Sequence, residues 1–193
     1  MNYIVKDNAK LDEIKAYFLL KDLLFKEKFT LIGDDYQKLV PDIYTKDLAV
    51  GVEVVSCEHI SSYLHETLIL SNPRKVNRVN LEFCNNLLNE YENLPLKEKQ
   101  LLFNAEFEKQ VTKKLRKIEN YSGVEDLSLF VMSDNENKNF IRREILLNIY
   151  NNACVGRKKV FHRLYFYYNK KLYVSVNGEN FKKVSIKNDI LTN

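Results

Sequence analysis

The sequence predicts an α/β fold in which a mixed sheet is flanked by helices. Short apolar runs of strand length alternate with longer stretches whose apolar residues recur at helical spacing. The chain also holds only five glycines and three prolines in 193 residues, which favours regular elements over loops.

Taken in order, the first element is an amphipathic helix over 9–27, with Leu11, Ile14, Phe18 and Phe25 on one face. A short strand over 29–32 stops at Gly33-Asp34-Asp35. Two further strands, 39–45 and 48–56, are joined by a tight connection. A helix over 58–70 follows, with Ile60, Leu64 and Leu68 inward, until Asn72-Pro73 breaks it. Another, 74–92, ends before Pro95. The clearest helix covers 97–120. Phe107, Val111, Leu115 and Ile118 form its apolar stripe, and basic residues crowd its last turns, as the helix dipole favours. Residues 127–132 are a strand, stopped by Ser133-Asp134-Asn135. A helix over 138–151 and a hairpin of strands 160–168 and 171–176, turning at Asn169-Lys170, complete the chain. No repeat or linker divides it, so residues 1–193 are read as a single domain. Its core covers about 9–132, with a helical insertion at about 58–95 and a C-terminal helix and hairpin over 138–193.

Composition sets further bounds. Hydrophobic residues make up 45% and aromatics 12%, with 12 Tyr, 11 Phe and no Trp, enough for a packed core and not the profile of a disordered chain. A net charge of +4 and a pI near 8.8 suit a polyanionic partner without specifying one. Cys57, Cys84 and Cys154 are odd in number and widely spaced, which fits free thiols in a reducing compartment. The N-terminus lacks the apolar region of a secretion signal, and no apolar run approaches the roughly 18 residues of a membrane span. The expectation is a cytoplasmic protein with no membrane contact. There is no glycine-rich phosphate loop and no local signature of a cysteine protease. Cys57, Glu58, His59 and His65 match no standard zinc spacing.

The chemistry is concentrated at Asp42 and Glu53, one on each strand of the central pair. Val40, Ile43, Leu48, Val50, Val52, Val54 and Val55 surround them. An ionised carboxylate is costly to bury among apolar residues unless something compensates it. Two of them brought together repel, and a hard cation is the usual remedy.

Pro41-Asp42 on one strand, followed by Gly51-Val52-Glu53-Val54-Val55 on the next, resembles the signature of the PD-(D/E)XK nuclease-like superfamily, which includes many restriction endonucleases. Its pattern is an Asp on one strand and Glu-x-Lys on the next. Asp42 and Glu53 match the acidic positions, whereas Val55 occupies the lysine position. The element order, helix, three strands, helices, strand, is similar to the αβββαβ core of that restriction-endonuclease-like fold. The resemblance implies a nuclease hydrolysing phosphodiester bonds, with Asp42 and Glu53 holding Mg²⁺ or Mn²⁺ and nucleic acid as partner. Restriction-type enzymes commonly form homodimers. Val55 raises the alternative of a catalytically degenerate member that binds nucleic acid or a protein without cleaving. A third alternative is an interaction protein of unrelated α+β fold, in which the two carboxylates fall on different faces. A shared cation instead requires them within about 4–6 Å of each other.

Helical geometry supplies a substitute for the missing lysine. At about 100° per residue, Lys114 falls within the arc of Phe103, Phe107, Val111 and Ile118, whereas Lys113, Arg116 and Lys117 fall outside it. A lysine there must find a partner or snorkel to solvent, and Glu53 is the partner expected. Some members of the superfamily do carry the lysine on a helix. Gln110 and Tyr121 lie along the same edge. Asp22 falls on the apolar face of the first helix, from which family members often add a carboxylate to the metal, while Glu13 falls on the polar side. As an alternative to zinc, Glu58 and His59 just beyond the third strand are placed at the mouth of the site. Arg74, Lys75 and Arg78, Lys113 and Lys117, and Lys158 and Lys159 beside the aromatic hairpin suit a nucleic-acid backbone and unstacked bases, or else simply face solvent.

Overall fold

The computed structural model describes residues 2–33, 39–57, 89–133 and 141–186. The fold is a mixed α/β arrangement centred on one eight-stranded sheet in the order β1-β2-β3-β4-β5-β6-β7-β8. The strands are β1 (Tyr3–Val5), β2 (Thr30–Ile32), β3 (Ile43–Thr45), β4 (Val50–Ser56), β5 (Asp126–Ser133), β6 (Arg163–Tyr168), β7 (Lys171–Val176) and β8 (Lys182–Val184). The helices are α1 (Leu11–Leu20), continued by a π-helical turn (Lys21–Phe25), α2 (Leu96–Ile118) and α3 (Arg143–Cys154). Residues 89–93 are also helical. Pairings β1–β2, β4–β5 and β5–β6 are parallel and the others antiparallel. No helix among the described residues is long and apolar enough to cross a membrane.

Strand β4 is buried along nearly its whole length, and its two faces serve different cores. Val50, Val52 and Val54 face α1, packing with Ala16, Tyr17, Leu20 and Phe25 and with Phe130 and Met132 of β5. Val55 faces the other way, into a core with Phe103, Phe107, Val111, Leu115 and Ile118 of α2 and Leu129 and Val131 of β5. This is the unbroken apolar reading of a central strand covered by helices on both sides. The same covering explains α2, whose predicted stripe is its buried face. Each fully buried Phe there contributes about 1.5–3 kcal/mol.

Several expected elements shift. The first helix starts at Leu11 and its buried face is Glu13, Ala16, Tyr17, Leu19 and Leu20. Leu11 is exposed, and Ile14 and Phe18 are only half-buried. The segment carries two apolar arcs, and the sheet covers the one holding Ala16, Tyr17 and Leu20 and not the one holding Leu11, Ile14 and Phe18; a π-helical turn follows Leu20, and Phe25 within it is buried as expected. Strands β1 and β8 had no sequence signal, being three residues each at the sheet edges. The helix expected over 138–151 is α3, beginning at Arg143. The hairpin is as expected, with Asn169 and Lys170 both at positive φ (54° and 56°), the pattern of a type I′ turn. Most of its aromatics are not a surface for bases: Phe161, Tyr165, Phe166, Tyr167 and Tyr173 are buried, and Tyr168 is partly buried. The helices read over 58–70 and most of 74–92 lie outside the described residues.

A close approach fixes how the strand before Asp42 meets β4. A Cβ added to Gly51 would fall 2.5 Å from Pro41 Cγ and 2.9 Å from Val124 Cγ1. Gly51→Ala should therefore destabilise the fold by about 1–3 kcal/mol through overpacking. Urea unfolding would read this as a lowered midpoint at unchanged slope. An unchanged midpoint would mean that Pro41 is free to withdraw.

Candidate functional site

The pairing of Ile43 with Val52 and Tyr44 with Gly51 brings Asp42, one residue before β3, beside Glu53 in the middle of β4. Both are buried, Asp42 at 3% exposure and Glu53 at 0%. Asp42 is tied to β4 directly, because Oδ2 accepts the Val54 backbone N–H at 2.8 Å. Opposite them runs α2, held down by its apolar stripe, and the same docking aims its lysines at the pair.

Lys114 is the central contact. Its Nζ lies 2.6 Å from Asp42 Oδ2 and also donates to Glu53 Oε2. One ammonium thus bridges both carboxylates, which places them within the about 4–6 Å over which they would share a cation. Lys117, one turn on, lies 3.2 Å from Asp42 Oδ1 and 3.2 Å from Glu53 Oε1. The buried Tyr121 completes the cluster by donating its hydroxyl to Glu53 Oε1, while its own carbonyl accepts from Lys159 Nζ.

The two carboxyl groups respond differently to this setting. Burial pushes Asp42 up, but Lys114, Lys117 and the Val54 N–H outweigh it and hold its pKa down at about 2. Glu53 is raised to about 7, because burial and the neighbouring Asp42 charge outweigh the two lysines. Burial pulls Lys114 down, but the two carboxylates overcome it and raise its pKa, so it remains an ammonium. The result is a firmly ionised Asp, a proton-poised Glu and a fixed positive charge between them.

A cavity of about 420 Å³ opens beside the cluster, lined by Glu13, Asp42, Val54, Val55, Gln110, Lys113, Lys114 and Lys117 among others. Glu53 does not reach its wall. Val55 points into the α2-side core, two residues beyond Glu53 on the same strand face. The third carboxylate is Glu13, not Asp22. Asp22 is exposed within the π-helical turn, while Glu13 is buried at 3% exposure and lines the cavity. Burial raises the Glu13 pKa against the Lys10 backbone N–H that its Oε2 accepts at 3.0 Å, and Asp42 adds to the rise. The signal available in the sequence was the spacing Glu13, Ala16, Tyr17, Leu20, which puts Glu13 on the small and apolar face.

The remaining expected residues divide clearly. Gln110 lines the cavity and donates to Glu106 Oε1 at 2.6 Å. Lys117, expected on the outer face, reaches both carboxylates. Lys113 lines the cavity rim, and Lys158 and Lys159 are exposed beyond the end of α3. Arg74, Lys75, Arg78, Glu58 and His59 lie outside the described residues.

The donor set is compatible with a hard divalent cation. It consists of carboxylate oxygens, and the point they share is already held by a cationic group, the Lys114 ammonium. Among the described residues, no three His, Cys, Asp or Glu side chains converge closely enough to form a metal cage by themselves. Comparison with family models, curated proteins and solved structures gives no match.

The raised pKa of Glu53 has a consequence for stability. Folding takes up a proton at this group, so its contribution is complete below its ordinary value of 4.5 and is lost as pH rises through about 7. Asp42 acts oppositely, contributing above its ordinary 3.8 and losing that contribution as pH falls through about 2. In metal-free buffer, the wild-type chain should lose about 3 kcal/mol relative to Glu53→Gln between pH 4.5 and 7. A constant difference between the two proteins' urea midpoints would mean that the lysines fully offset the burial.

Proposed function

We propose that this chain is a metal-dependent, nuclease-like protein that hydrolyses phosphodiester bonds of nucleic acid on a restriction-endonuclease-like fold. The observation that carries this reading is the bridging of Asp42 and Glu53 by Lys114 from a helix, beside an open cavity. That is the acid–acid–lysine set of the superfamily's motif, with the cation supplied by α2 in place of Val55 on the strand. The order α1, β2, β3, β4, α2, β5 supports the reading, since it follows the αβββαβ sequence of that fold. Glu13 supports it too, as a carboxylate entering from the first helix.

In this reading Asp42 and Glu53 would hold Mg²⁺ or Mn²⁺. When bound, such an ion neutralises phosphate charge and acidifies a bound water. The chain's own groups do the rest. Lys114 keeps a positive charge where negative charge develops on the phosphate oxygens. Tyr121 and Lys117 fix the Glu53 carboxylate, and the Val54 N–H fixes Asp42.

One observation favours a second reading, a non-cleaving binder of the same fold. Two ammonium groups already satisfy both carboxylates, and Glu53 is screened from the cavity.

Cleavage of plasmid and single-stranded DNA with Mg²⁺ or Mn²⁺ separates the two. The nuclease reading expects metal-dependent nicking that is abolished in Glu53→Ala and reduced on the order of 100-fold or more in Lys114→Met. Nicking that survives chelator or the Glu53→Ala change would sink the assignment. No cleavage by folded wild type, together with retained binding of nucleic acid, would establish the binder.

A further inference from the structure

The outer face of α2 carries a second, larger depression of about 710 Å³. Lys109, Lys113, Arg116 and Lys117 line it, with Thr112 and Asn120. Lys113 and Lys117 line the site cavity as well, so the two depressions meet along the edge of the helix. The basic residues follow i, i+4, i+7, i+8 spacing, which makes one stripe. The depression runs from Ala105 to Asn120, just past the end of α2, and covers about 20 Å of helix at 1.5 Å per residue. Compensation of the helix dipole accounts for cations in the last turn, but Lys109 and Lys113 lie further back.

Tertiary structure extends this surface. Arg157 Nη1 pairs with Glu119 at 2.8 Å, and Lys159 Nζ bonds the Tyr121 carbonyl. Both contacts bring the basic segment after α3 against the C-terminal end of α2, with Lys158 exposed beside it. The Arg157 contact also neutralises Glu119, an acidic residue at that end. Glu108 is the one carboxylate lining the depression.

We infer that this stripe is a seat for the phosphate backbone of double-stranded nucleic acid, leading it to the Asp42–Glu53 cluster. The choice of duplex follows from the lining. A single strand is gripped by stacking its bases on aromatic rings as well as by charge. No residue lining the depression is aromatic, and of the hairpin rings only Tyr168 is not fully buried. What remains is charge with a few neutral donors, which reads backbone and not bases.

The inference rests on the proposed nucleic-acid chemistry of the site but is tested apart from it. The probe is a short fluorescent DNA duplex, titrated by anisotropy in chelator, so that no cutting occurs, across a range of salt. With four or five phosphate contacts, log affinity should fall with log salt at a slope of about −4. Lys113→Gln with Arg116→Gln should flatten that slope by about 2, and Glu108→Gln should tighten binding. A variant slope equal to wild type, or tighter binding of a single strand of the same length, would overturn the inference. Duplex bound but never cut leaves the seat in place and removes the catalytic reading. Duplex cut with no dependence on Lys113 and Arg116 removes the seat alone.

Discussion

The site and the packing of α2 both depend on how two buried carboxylates are compensated. Asp42 and Glu53 sit together in a sheet covered on both faces, where an uncompensated ion costs several kcal/mol even after the surroundings relax. The compensation comes from one helix. Phe103, Phe107, Val111, Leu115 and Ile118 hold α2 against the sheet, and that docking delivers Lys114 between the acids and Lys117 alongside. Packing and electrostatics are therefore not separable here. If α2 shifts outward, the carboxylates lose their cations; if the lysines are lost, the helix faces a charged patch of sheet.

Such a network is weak evidence for stability in itself, because desolvation offsets much of the Coulombic gain. It is better understood as preorganisation. Asp42 is held by the Val54 N–H, Glu53 by Tyr121, and Tyr121 in turn by Lys159 through its carbonyl. The split between a strongly ionised Asp42 and a Glu53 raised toward neutrality is the pattern by which two like groups take different chemical roles. The cluster borders a cavity with a third carboxylate, Glu13, on its wall.

The two sides of α2 present different chemistry. Its inner side supplies Lys114 to the acid pair, and its outer side presents cations to solvent. Lys117 joins them, since it reaches the carboxylates and lines both depressions. A polyanion lying on the outer stripe would thus be adjacent to the acid cluster without any rearrangement of the helix.

By itself, the sequence determined the alternation of strands and helices, the burial of β4, the stripe of α2 and the pairing of Asp42 with Glu53. Each rests on local periodicity and on the cost of isolated charge, which short stretches of chain express. Lys114 was legible for the same reason, as a lysine on an apolar arc. Glu13, Lys117 and the edge strands were decided only by tertiary structure. The first helix carries two apolar arcs, one with Leu11, Ile14 and Phe18 and one with Ala16, Tyr17 and Leu20 beside Glu13, and only the packing of α1 on the sheet selects the second. Lys117 reaches the acids because a long flexible side chain bends around the helix edge, a freedom that angular position does not encode. The meeting of the Arg157–Lys159 segment with the end of α2 depends on contacts some forty residues apart in sequence, which only the folded chain brings together.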